Sequence, residues 1–149
     1  MGILCPCGVS VNACSKNNNV EFISKCKMRR GNITYLANVC VTTLNKSTLS
    51  LEFVDTKRPC SNNFLFTANA ITSIVCKKDG QNCVVTVEGT GLVNGRQYSF
   101  KAVFRDQVAP AANDIVQSFV IKGFFDQNGA VCVPQGSIVA LGCQELSWH

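Results

Sequence analysis

The sequence predicts an all-β protein, an antiparallel β-sandwich of jelly-roll or immunoglobulin-like type with an extended N-terminal arm. Its apolar stretches are short, rich in Val, Ile, Thr and Phe, and bounded by Gly, Asn, Asp or Pro. No window holds a sustained helical apolar period. Asp79-Gly80, Asn94-Gly95 and Asn128-Gly129 punctuate the second half of the chain as two-residue hairpin turns. A length of 149 residues suits one domain with a sizeable core. Charged residues are only 15% of the chain against 46% hydrophobic, which suits a surface partly covered in an assembly.

Residues 1–19 read as a cysteine-bearing connector arm and hinge, and residues 20–149 as the sandwich domain. The arm, MGILCPCGVSVNAC, carries Cys5, Cys7 and Cys14, and the polar SKNNN that follows at 15–19 suits a hinge. In an extended segment Cys5 and Cys7 point to the same side, and a bond between them would close a strained ring around Pro6. Each therefore expects a partner elsewhere, in its own domain or in a neighbouring copy, and the neighbouring copy is the reading adopted.

Strands are expected near 20–27, 34–43, 48–55, 63–67, 70–77, 83–89, 97–105, 115–125, 130–133 and 137–142. The basic run KCKMRR at 25–30 reads as a solvated strand end entering a turn at Gly31. Pairing outward from Asn94-Gly95 sets Val93 against Arg96, Gly91 against Tyr98, Gly89 against Phe100, Val87 against Ala102 and Val85 against Phe104. The other face then pairs Thr90 with Ser99 and Glu88 with Lys101, and the opposite charges favour this register. A one-residue slip would turn the aromatics outward. The same counting from Asp79-Gly80 sets Cys76 opposite Cys83, an intrachain disulfide candidate. Asn128-Gly129 would join 121–127 to 130–134 and set Cys132 opposite Phe125. Cys26, Cys40, Cys60, Cys132 and Cys143 are further disulfide candidates that sequence alone cannot connect.

The ten cysteines are even in number, which suggests a disulfide framework formed in an oxidising setting. The N-terminus has no basic n-region and no apolar run of signal-peptide length, so oxidation is expected to follow release from the producing cell. No apolar run reaches membrane-span length. A net charge of +5 is lower than nucleic-acid binders usually concentrate, and none is expected as a partner. The single histidine, His149, is the last residue, so no Ser-His or Cys-His pair has a well-placed base. No C-x₂₋₄-C knuckle proposes a zinc site. Hence no enzyme, metal, cofactor or small-molecule ligand is expected.

A connector ILCPCGVSVNAC ahead of a small β domain resembles the layout of the bacterial endospore appendage fibre subunits. That resemblance implies a jelly-roll-like fold made without a signal peptide. It also implies a connector that bonds subunits further along a fibre, with strand augmentation closing the lateral contacts. On it, Cys5, Cys7 and Cys14 would be the intermolecular cysteines, although that family often has adjacent cysteines where this chain has Cys5-Pro6-Cys7. Separately, VTVEGTGLVNGRQYSFKAVFRD with SFVIKGFFDQNGAVC resembles a β-sandwich module of bacterial surface proteins. The expectation is a structural subunit that self-assembles with copies of itself into a disulfide-crosslinked fibre or layer, extracellular or on a spore surface. The alternative is a secreted monomeric binding module, adhesin- or lectin-like, with its cysteines paired internally.

Overall fold

The computed structural model describes residues 5–23, 27–57, 62–109 and 112–143. Its strands are β1 (Gly8–Phe22), β2 (Lys27–Cys40), β3 (Thr48–Asp55), β4 (Phe64–Asp79), β5 (Asn82–Val93), β6 (Arg96–Asp106), β7 (Asp114–Ile121), β8 (Phe125–Asp126), β9 (Val131–Val133) and β10 (Ile138–Leu141). A 3-10 segment, Val41–Lys46, joins β2 to β3. Each of β1 to β7 pairs antiparallel with the next one in sequence, and β8 pairs with both β7 and β1. The result is a closed eight-strand antiparallel barrel, not the sandwich expected. Its eighth wall position is composite: β8 and β9 lie against β7, while β8 and β10 lie against β1.

The sandwich expectation fails because the supposed arm is a wall strand. Val9, Val11 and Ala13 are buried while Ser10, Asn12 and Cys14 are exposed, the period-2 alternation of a half-buried strand. β1 pairs with β2 on one edge and with β10 and β8 on the other, so the sheet returns to itself. Residues 8–19, expected within a connector and hinge, therefore lie inside β1. Asn17, at φ 59°, sits in the bulge between Ser15 and Asn18. Further register shifts in β4, at 68–70 and 71–73, and between Val103 and Phe104 bend the sheet towards closure. They also merge the two strands expected at 63–67 and 70–77 into one. The strand expected over 115–125 instead breaks at Gly123, where φ is +80°.

The β5–β6 register is the expected one, from Val93 opposite Arg96 to Val85 opposite Phe104, with Glu88 opposite Lys101. Gly91 is needed for a reason beyond its own hairpin, since a Cβ there would lie 2.6 Å from a carbon of the Phe66 ring on β4. The preceding hairpin differs by one residue, for Asp79 pairs with Asn82 and the turn is Gly80-Gln81. Cys76 then faces Val85, and Cys83 faces Lys78. Diagonal neighbours lie about 7–8 Å apart, beyond ordinary disulfide reach, so the Cys76–Cys83 bond is not made. Nor does Asn128-Gly129 close a hairpin: β9 pairs with β7, setting Cys132 opposite Ile115 instead of Phe125.

The barrel is packed solid. At one end Phe22 meets Phe53, Phe64, Phe124 and Phe125 edge-on at 5.5–5.7 Å. Midway, Tyr35, Phe66, Phe100 and Phe119 fill the interior. Towards the other end the filling is aliphatic, with Val9, Val11, Val85 and Ile138. One polar group crosses this core. Buried Gln127 accepts from the Tyr35 hydroxyl at 2.6 Å and donates to the carbonyls of Val116 and Gly129 at 2.8 Å. Burial pushes the Tyr35 hydroxyl far above its ordinary pKa, so it stays a neutral donor. Outside, the β5–β6 wall presents Thr90 with Ser99 and Glu88 with Lys101.

Candidate functional site

The strand directions gather six cysteines at one end of the barrel. β1 begins there and β2 ends there, which brings Cys5 to Cys40 with Cα atoms 5.9 Å apart. β4 also ends there, so Cys7 reaches Cys76 at 5.8 Å. Cys83, at the start of β5, bonds Cys143 just beyond β10 at 5.6 Å. Cys5 and Cys7, expected to reach a neighbouring copy, are thus bonded within the chain, because β1 delivers them beside β2 and β4. Val41 N–H donates to the Cys7 carbonyl at 2.9 Å and fastens the same corner. A Cβ on Gly8 would lie 2.7 Å from Cys5 Sγ, so the approach of the Cys5–Cys40 bond requires glycine.

Cys14 and Cys132 are free thiols on the outer wall, on β1 and β9. Cys14 Sγ lies 3.6 Å from Thr34 Oγ1. Cys26 and Cys60 lie outside the described residues.

Two carboxylates hold β10 at the disulfide end. Its ladder to β1 runs from Ile138 opposite Val11 to Leu141 opposite Gly8 and occupies one edge. On the other edge Asp114 Oδ2 accepts from the N–H groups of Gly136 and Ile138, and Asp106 Oδ2 from that of Ala140, each at 2.9 Å. Asp114 also accepts from Gln107 N–H at 2.9 Å and is fully buried. Side-chain oxygens thus stand where a neighbouring strand's carbonyls would be. Burial raises the Asp106 pKa, the Ala140 N–H lowers it in part, and the charge of Asp114 raises it further, leaving it above the ordinary value.

The opposite end is closed by an ion pair. Arg29 Nε and Nη2 meet Asp55 Oδ2 at 2.9 and 2.8 Å, and both residues are buried. Asn62 Nδ2 donates to the same oxygen at 2.8 Å, Lys57 N–H donates to Oδ1 at 3.0 Å, and Arg29 also donates to the Lys57 carbonyl. Burial alone would raise the Asp55 pKa, but these hydrogen bonds and the Arg29 charge outweigh it and hold the carboxyl below its usual range. The solvated reading of KCKMRR is therefore corrected at Arg29. Gly31 is no turn either: it lies in β2, where a Cβ would meet the Phe53 ring at 2.6 Å. Beside the pair, Asn19, Met28, Arg30, Thr56 and Lys57 line an open cleft of about 370 Å³.

The sequence held signals for part of this. Counting back by twos from Val39 through Ala37, Tyr35, Ile33 and Gly31 puts Arg29 on the inward face and asks for a buried acid. Nothing comparable marked Asp106 or Asp114, whose role depends on where β10 comes to rest. Among the described residues no group of three or more His, Cys, Asp or Glu is placed to hold a metal ion, and no helix is long and apolar enough to cross a membrane. Compared with known proteins, the chain matches no family model, no curated protein and no solved structure.

Proposed function

We propose that this protein is an extracellular structural subunit, a disulfide-pinned barrel covalently linked to copies of itself through thiols on its outer wall. One observation carries the reading: among the described residues, three disulfides are formed within the chain while Cys14 and Cys132 remain as exposed thiols on two different strands. Conditions that oxidise the first set favour oxidation of accessible thiols as well, and a thiol on each of two strands allows a chain of subunits to grow. The expected connector role thus passes from Cys5 and Cys7 to Cys14, with Cys132 as its counterpart. Strand augmentation is not part of the proposal, because one edge of β1 is taken by β2 and both ends of the other by β10 and β8. Assigning the product to a fibre on a spore surface rests on the layout resemblance of residues 3–14.

Boiled, non-reduced protein should run as a ladder that collapses to one band with dithiothreitol. Cys14→Ser combined with Cys132→Ser should abolish the ladder while the barrel stays folded. A single monomer band from the unaltered protein would overturn the proposal. A monomeric extracellular binding module is the second reading, favoured by the open cleft beside Arg30 and Lys57.

A further inference from the structure

We infer that Cys83–Cys143 is a built thiol–disulfide exchange site, at which an incoming thiol forms a mixed disulfide with Cys143 and releases Cys83. Cys83 is paired across the sheet with Lys78 on β4 and with Asp106 on β6, so the three form one row across neighbouring strands. Alternation puts the row on one face of the sheet. All three residues, with Cys143, line an open cleft of about 320 Å³ at the end of the barrel. Cys83 is buried and Cys143 is half-buried, which makes the Cys143 sulfur the accessible one.

The exchange balances without an external oxidant. An incoming thiolate attacks Cys143 Sγ, the Cys83–Cys143 bond breaks, and its electron pair leaves on Cys83 Sγ. One disulfide is consumed and one is formed, and the proton lost by the incoming thiol ends on the released thiol. Exchange is faster when the departing thiol is a better leaving group, and a neighbouring ammonium favours its thiolate. Lys78, opposite Cys83 in the ladder and on the lining of the same cleft, is the residue to which we assign that charge.

One sulfur of each of the other two bonds faces a carbonyl oxygen at close range, while Cys40 Sγ lies 3.1 Å from the Thr42 hydroxyl oxygen. Cys5 Sγ lies 3.2 Å from the Cys7 carbonyl oxygen, and Cys76 Sγ lies 3.2 Å from that of Leu141. Such oxygens oppose a thiolate forming against them. Asp106 opposes the charge on Cys83 in the same way, although its Oδ2 is engaged by Ala140 N–H. Lys78 and Asp106 therefore act on this one bond with opposite sign. The fold tolerates the opening, because β10 keeps its ladder to β1 and its hydrogen bonds to Asp106 and Asp114.

Reduced glutathione is the probe, so the test is independent of any linkage between copies. The protein is exposed to it, quenched with acid, alkylated and mapped by peptide mass spectrometry. The first product should carry glutathione on Cys143 and the alkyl group on Cys83. Lys78→Gln should slow its formation by about threefold or more, Lys78→Arg should restore it, and Asp106→Asn should accelerate it. In Cys143→Ala protein, alkylation of Cys83 against pH should give a thiol pKa that rises with Lys78→Gln and falls with Asp106→Asn. Earlier opening of Cys5–Cys40 or Cys7–Cys76 would overturn the assignment. So would the Lys78→Gln and Asp106→Asn variants leaving the rate unchanged or moving it in the same direction.

Discussion

At one end of the barrel three disulfides tie the entry to β1, the strands β2, β4 and β5, and the segment just beyond β10 together, while at the other a buried Arg29–Asp55 pair joins β2 to β3. Both solve the same problem, holding strand ends that would otherwise fray. They differ in what can undo them. The covalent end acts largely by limiting the unfolded chain and answers to thiols. The ionic end acts through the folded state and answers to protons. Among the described residues, thiols act on one end and protons on the other.

Removing one partner of the ion pair should have the largest effect. Arg29→Ala leaves Asp55 buried without its cation and should cost about 3–5 kcal/mol in urea unfolding under oxidising conditions. Replacing Cys7 and Cys76 together by Ser should cost about 2–4 kcal/mol, and dithiothreitol should then destabilise the variant less than the parent. The two changes sit at opposite ends and should add; strong coupling would mean that the ends are not independent. Gly91→Ala, acting midway on the Phe66 ring, should cost about 1–3 kcal/mol through overpacking and respond to neither thiols nor acid.

The smallest expected effects separate the ends by pH. Asp55 has a depressed folded pKa, so the stability it contributes is present above the unfolded carboxylate value of about 4 and is lost as pH falls through the folded value. Asp106 has a raised folded pKa, so its ionisation works against folding, and stability is recovered as pH falls through that value. Urea midpoints measured from neutral to acid pH should therefore carry contributions of opposite slope. Asp55→Asn should remove the acid loss, and Asp106→Asn the acid gain.

What could be read in advance was what local pairing determines. The β5–β6 register followed from Asn94-Gly95 and from the Glu88–Lys101 pair, because a two-residue turn fixes everything that it joins. The Asp79-Gly80 turn looked equally informative, yet the turn formed at Gly80-Gln81 and separated Cys76 from Cys83. Closure was not legible, since it depends on β1 meeting β8 and β10 from the far end of the chain. The alternation in GVSVNAC marks a strand, whereas three nearby cysteines ahead of a polar stretch suit a free arm. Partners for Cys5 and Cys7 followed only once β1 had its place in the wall.

The composite eighth wall position has a consequence for how the chain is made. β1 gains β2 early in synthesis, but its second neighbours, β8 and β10, are among the last strands to be translated. Gly8 meets Leu141 only after nearly the whole sequence is present. Until then the growing chain is a curved open sheet with an unsatisfied margin, and its final step is a long-range closure of the kind that slows folding. Birth order thus leaves for longest without its second neighbours the strand that carries Cys14.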